Sequence, residues 1–305
     1  MSNAPPNLPP SRGKHSAYRP PACIFCGTPG EVTLEHFLPV WTQEYLPLNE
    51  GCFVDFGNTS TLDVSTEENL IDNRSAERRF DFAHLQVPAP CKDCNTVWMS
   101  KIEDEAKPIL VPIFQDQARV LSVADQAVLA KWLTLRMIVG EFLWPDRAAV
   151  SPARRAWFRV NQRPFEESLI FIGRYATNPP RRSYRSFSTI AMREDPPARH
   201  VGSAYATFHL GPLVATVLYV AEPTAEGHSL REVIDKFRYG WAIAPFMPRI
   251  HAASGALMNW PPAQSIPKDY VFNVIRDAYK FGADAARDAA FKDYRTKKER
   301  EKLGA

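Results

Sequence analysis

The sequence predicts an α+β fold in two parts, and three observations carry that expectation. Two C-x-x-C pairs, Cys23/Cys26 and Cys91/Cys94, bracket the N-terminal part. A helical apolar pattern, DQAVLAKWLTLRMIVGEFLW, follows at 125–144. Beyond it, branched and aromatic runs recur between Pro, Gly and Asn clusters: SLIFIGRY, YRSFSTIAMR, SAYATFHLG and PLVATVLYV. Runs of that kind, spaced by turn residues, read as an antiparallel meander.

The N-terminal elements follow from the cysteines. Each C-x-x-C turn presents two thiolates on one side of a tight knuckle, and two knuckles complete a tetrahedral shell for Zn²⁺ with metal–sulfur distances of ~2.3 Å. Gly27 after the first pair, and Pro88 and Pro90 before the second, are turn residues in the right places. With sulfur at all four positions no site remains for water, so this zinc is expected to be structural. Cys52 stands apart and reads as a small apolar residue. Between the knuckles, Thr33–Leu38 reads as a short extended segment stopped by Pro39. It carries Glu35 and His36, which strand alternation sends to opposite faces unless a twist or bulge intervenes. After Cys94, Asn95 opens an amphipathic helix with Trp98, Ile102 and Ala106 on one stripe, expected to end at Pro108.

The C-terminal elements are equally local. The helix at 125–144 stops at Pro145, and Ser151-Pro152 supplies an N-cap and first-turn proline for a helix through about Arg159. After the strand runs, GWAIAPF and the NWPP motif at 259–262 are expected as edge pieces, and a last helix begins near Asp269. From Lys292 to Lys302 there are six basic and three acidic residues, a solvated helix tip. Arg174, Arg181, Arg182, Arg185 and Arg193 lie among Tyr175, Tyr184 and Phe187, a mixture that suits either a nucleic-acid groove or an ordinary surface loop. His15, His200, His209, His228 and His251 share no ligand spacing.

Composition narrows the class. The chain has 305 residues, 45% apolar and 23% charged, which excludes a disordered or fibrous protein. Lys and Arg number 37 against 34 Asp and Glu, too even a balance to argue for nucleic acid alone. The 27 prolines point to many loops and sharply ended elements. No run approaches the ~18 apolar residues of a membrane span. Residues 1–20 lack an apolar signal region and read as a disordered lead-in, so the expected compartment is the cytoplasm, where clustered cysteines favour a metal over disulfides.

The order CxxC, acid-His-x-x-Pro, then CxxCN and a helix resembles the zinc-containing HNH endonucleases of the ββα-metal fold. CKDCNTVWMSKIE is similar to a bacterial and phage subgroup with a Trp-Met helix. The resemblance covers about residues 20–110 and, more weakly, 120–285. It implies an HNH nuclease domain with structural zinc at 21–112, an accessory α+β domain with an antiparallel sheet and flanking helices at 120–285, and a charged helix end at 286–305. It further implies a hydrolase cutting DNA, with RNA not excluded; the lack of a long apolar run argues against a membrane partner, and the C-terminal part is expected to position substrate, bind a partner or form a homodimer. Carried over by position, Glu35 and Asn95 would hold a catalytic Mg²⁺ or Mn²⁺, and His36 would take the proton of the attacking water. The chemistry agrees with those types. Carboxylate and amide oxygens suit a hard cation, and an imidazole's ordinary pKa of ~6.5 suits a base at neutral pH. The sequence departs from the pattern by a long insertion between His36 and Cys91. It also has no obvious central Asn; His84 lies nearest that place, with Asn69 and Asn73 further off. Glu103 or Glu105 is a further carboxylate candidate for the metal, set against a solvated helix face. The rival classes are a nucleic-acid-binding protein that has lost hydrolysis, and a partner-binding protein whose zinc only staples a lobe.

Overall fold

In the computed structural model the described residues are 20–46, 53–63, 74–79, 85–143, 148–175, 181–192, 201–220, 246–251 and 255–266. For 53–63, 74–79 and 181–192, and at 201–203, 205 and 220, the description is of the backbone alone. The first elements are β1 (Leu34–His36), a single helical turn α1 (Thr42–Tyr45), β2 (Phe53–Asp63), β3 (Arg74–Arg79) and β4 (Gln86–Pro88). A π-helical turn (Cys94–Met99) runs into α2 (Ser100–Phe114), followed by β5 (Arg119–Leu121), α3 (Val123–Glu141) and α4 (Pro152–Asn161). The remaining strands are β6 (Ser168–Arg174), β7 (Arg181–Met192), β8 (Val201–Gly211), β9 (Leu213–Val220), β10 (Arg249–His251) and β11 (Met258–Trp260). The fold is α+β, and no described helix is long and apolar enough to cross a membrane.

The helix boundaries have identifiable causes. Ser122 caps α3 reciprocally: its hydroxyl accepts the Asp125 N–H at 3.1 Å, and Asp125 Oδ2 accepts the Ser122 N–H at 2.9 Å. Ser151 caps α4, with Pro152 at the first helical position. The helix after Asn95 does not stop at Pro108. It passes through both Pro108 and Pro112 to Phe114, although an internal proline usually costs a helix ~3 kcal/mol or more. Pro112 has no N–H to give the Pro108 carbonyl. Arg119 Nη1 supplies that donor at 3.0 Å and also reaches Ile109 O at 3.2 Å. Ile109, Leu110, Ile113 and Phe114 are buried along the continuing turns, so apolar burial helps to offset the prolines.

The large sheet has seven strands in the order β10-β6-β9-β8-β7-β2-β3. β7, β8 and β9 form an antiparallel meander, and β6 joins it across β9, with Ile172 opposite Ala215. β2 lies parallel to β7 and antiparallel to β3. Both β2 and β3 come from the insertion between His36 and Cys91, so this segment lengthens the large sheet. The NWPP region supplies β11, which pairs with β5 outside the large sheet. One apolar core runs from Cys23 and Phe25 through Ile102, Trp132 and Ile138 to Phe208 and Val217. The sequence boundary between 112 and 120 therefore does not interrupt the packing. The helix expected from Asp269, the charged end at 286–305 and most of GWAIAPF lie outside the described residues.

Candidate functional site

The two knuckles are built by short-range backbone bonds. Gly27, in the left-handed region at φ 71°, donates to Cys23 O at 2.9 Å, and Cys23 N–H reaches Thr28 O at 3.0 Å. The second knuckle closes when Asn95 N–H donates to Cys91 O at 3.0 Å. Ile24 N–H to Ala89 O (3.2 Å) and Thr33 N–H to Pro90 O (2.7 Å) bring the knuckles together. The ligand atoms of Cys23, Cys26, Cys91 and Cys94 lie within 4.8 Å of one another, and Cys26 Sγ and Cys91 Sγ are 3.7 Å apart. Tetrahedral bonds of ~2.3 Å place sulfur atoms ~3.8 Å from each other, so this donor set fits zinc. Burial pushes the Cys94 and Cys91 thiols up, the shift that a bound divalent cation reverses. At Cys26 burial also acts upward, but hydrogen bonds from Thr28 and the neighbouring cysteines prevail and bring it down to about 6.

Directly beside the knuckles, β1 and β4 form a two-stranded antiparallel hairpin with Glu35 opposite Val87 and His36 opposite Gln86. Its register is regular, and the side chains alternate. Leu34 is exposed, Glu35 is buried and His36 is half-buried. Gln86 Nε2 lies 3.1 Å from His36 Nε2, an amide donor on the imidazole. Asn95 sits at the opening of the π-helical turn, where Ser100 N–H and Oγ both reach its carbonyl. Its Nδ2 donates to Thr33 Oγ1 at 3.2 Å, and Thr33 Oγ1 donates to Pro90 O at 3.0 Å. The hairpin, knuckles and helix thus bring Asn95 against the strand that carries Glu35 and His36.

Glu35 is committed elsewhere. Its Oε1 accepts from Arg136 Nη1 at 3.0 Å, and the same guanidinium nitrogen reaches His36 O (3.0 Å) and Phe37 O (3.2 Å). Arg136 Nη2 meets Glu103 Oε1 at 3.0 Å. Arg136 is fully buried on α3. Two carboxylates therefore share one cation, and burial raises Glu103 to about 7 even though Arg136 acts to lower it. Glu35, His36 and Asn95 occupy three separate hydrogen-bonded settings. The cysteines are the one group of three or more gathered metal-ligating His, Cys, Asp or Glu side chains among the described residues. As arranged, this donor set does not fit a second cation, because one on Glu35 would face the guanidinium across the same carboxylate. Glu105 pairs with Lys131. His84 lies outside the described residues, as do Cys52, Asn69 and Asn73.

Of the basic and aromatic stretch, Arg174 is held by Asp116 and Ser265, and Tyr175 is buried edge-on against His209. These two residues do not form an open groove; the side chains of the others lie outside the description. Residues that the sequence reading passed over now matter: Gln86, Thr33 and above all Arg136. Its one sequence signal is a lone charge inside the apolar run LTLRMIVG.

A second buried carboxylate supports the frame behind the knuckles. Glu141, at the end of α3, accepts the N–H groups of Ala149 (2.9 Å) and Val150 (3.2 Å). Burial raises it to about 7, against those hydrogen bonds and the field of Arg155. An unfolded glutamate titrates near ~4.3. The folded state therefore binds the proton more tightly, and its contribution to stability is full below the unfolded value and lost as pH rises through the window up to about 7. Glu141→Gln keeps the acceptor and removes the titration. The wild-type melting midpoint is expected to fall more than the variant's between pH 5 and pH 8, by on the order of 2 kcal/mol of stability. Parallel pH-resolved melting curves check this, and identical slopes would refute it.

The fold and site define an α+β protein with mainly antiparallel sheets and a four-cysteine cluster that fits zinc. Comparisons with family models, with curated proteins and with solved structures find no match to this chain.

Proposed function

We propose that the chain is an HNH-type nuclease, a hydrolase of nucleic-acid phosphodiester bonds with DNA as its first substrate. The observation that carries this reading is the β1-β4 hairpin seated on the four-cysteine cluster, with half-buried His36 on its strand and Asn95 hydrogen-bonded to Thr33 beside it. In this reading zinc on the four cysteines supplies rigidity alone. His36 takes the proton of the attacking water, a contribution usually worth about 10²–10⁴-fold in rate. To leave His36 a free lone pair, the Gln86 amide on the opposite strand must turn its oxygen to accept from Nε2–H, so that Nδ1 is the base; Asn95 presents its amide next to the reacting phosphate. The resemblance also implies Mg²⁺ or Mn²⁺, and each ion is varied in the assay.

His36→Ala is expected to abolish plasmid nicking while leaving zinc content and melting midpoint at wild-type values. The assay compares both proteins with and without Mg²⁺. The pairing of Glu35 with Arg136 favours a second reading, a zinc-stapled protein that binds nucleic acid without cutting it. Binding by both proteins with cleavage by neither would select that reading. A protein partner captured without affinity for DNA would select the partner-binding class.

A further inference from the structure

Behind the four-cysteine cluster lies a buried cation that the proposed chemistry does not use. Arg155 is on α4, far along the chain from either knuckle, yet its Nε donates to Ile24 O at 2.9 Å. Ile24 stands between the two cysteines of the first knuckle. The same guanidinium donates to Val150 O and lies over the Phe142 ring, 4.9 Å from its centroid. Glu141 anchors the adjoining turn through the N–H groups of Ala149 and Val150, and the fields of Glu141 and Cys23 both act on Arg155. Four thiolates around one divalent ion make a dianion, and both Cys23 and Cys94 are buried. A buried negative charge is costly unless it is paired or hydrogen-bonded. Arg155 meets both needs: it brings positive charge to the Cys23 side and ties down the knuckle backbone.

We propose that Arg155 is a positioning residue of the four-cysteine metal site, holding the first knuckle through the Ile24 carbonyl and balancing the charge of the thiolate shell. The inference rests on those cysteines holding zinc, and it makes zinc retention depend on α4 as well as on the knuckles themselves. Groups that orient metal ligands from outside the ligand shell typically change affinity by about 10–100-fold when removed.

The test uses the full chain loaded with zinc, then with Co²⁺ as a spectroscopic substitute. Arg155→Met is expected to release zinc to a colorimetric chelator about 10–100-fold more readily and to shift the thiolate-to-Co²⁺ absorption bands. Arg155→Lys, which keeps the charge but loses the Nε contact, should fall between the two. Wild-type zinc retention and Co²⁺ bands in Arg155→Met, even with a lowered melting midpoint, would overturn the proposal and leave Arg155 a packing residue. If Arg155→Met does not fold, Arg155→Lys decides: weakened retention supports the role, and unchanged retention overturns it. A wild-type chain that carries no zinc and takes up no Co²⁺ would instead overturn the metal-site reading beneath it.

Discussion

Cys94→Ser is expected to empty the zinc site and to collapse the yield of folded protein. Cys94 is buried where the second knuckle meets the π-helical turn, so it is both a ligand and part of the core. Serine brings a neutral hard oxygen where a thiolate is needed. Four residues on, Trp98 packs edge-on against Phe25 at 5.0 Å and against Phe158 at 6.0 Å, which ties the first knuckle and α4 to the same turn. Structural zinc is worth about 10–16 kcal/mol in small zinc modules, as much as the whole stability of a typical domain, ~5–15 kcal/mol. Elemental analysis should find one zinc per wild-type chain and none in Cys94→Ser, and circular dichroism should show no cooperative melt for the variant. Cys52→Ser is the control, expected to keep its zinc. A Cys94→Ser protein that melted like wild type would remove the metal from the account of this fold.

What the sequence made legible was local. Knuckle spacing answers to the geometry of one ion, and the Ser151-Pro152 start of α4 answers to backbone groups within a single turn. The strand runs are legible because alternation and turn residues are local too, although β6 docks on β9 through a pairing that no local pattern encodes. Pro108 misleads because tertiary burial of Ile109, Leu110, Ile113 and Phe114 carries the helix past it, and the carbonyl that Pro112 then leaves without a helical donor is satisfied by Arg119, a residue beyond the helix. The insertion after His36 is hard to read because its strands are completed by β7, supplied much later in the chain.

The candidate site divides in the same way. Residue types and order single out Glu35, His36 and Asn95, and the hairpin alternation between the first two follows from strand geometry. Arg136 escapes notice because a helical arginine ordinarily faces water, and only tertiary packing sets it among Glu35, Glu103 and two strand carbonyls. Arg174 and Tyr175 fail as a groove for a related reason. Asp116 and His209 approach them from other parts of the chain.

Arg136→Met should destabilise the protein by about 3–5 kcal/mol, the usual effect of deleting one partner of a buried ion pair. In a chain of this size that lowers the melting midpoint by ~10 °C. The substitution removes the only cation bonded to Glu35 and Glu103 among the described residues, and leaves the His36 and Phe37 carbonyls without that donor. Glu103, already raised by burial, then loses the guanidinium that acts to lower it and favours its protonated form more strongly. Because a raised carboxyl pKa costs stability as pH rises through it, the deficit should be larger at pH 8 than at pH 5. Adding Glu35→Gln to Arg136→Met should recover part of the loss, since one of the stranded charges is gone. Arg136→Lys should fall between wild type and Met, because an ammonium keeps the charge but cannot span two carboxylates and two carbonyls as the planar fork does. Cleavage, if His36 performs it, should fall in the same order, since Arg136 holds the backbone carbonyl of that histidine. Thermal melts of wild type, Arg136→Met, Glu35→Gln and the double variant at the two pH values form the cycle, with Arg136→Lys measured alongside. An Arg136→Met midpoint within a degree or so of wild type at pH 8 would show that the carboxylates do not depend on this guanidinium, and Glu35 would return as a free ligand for a cation.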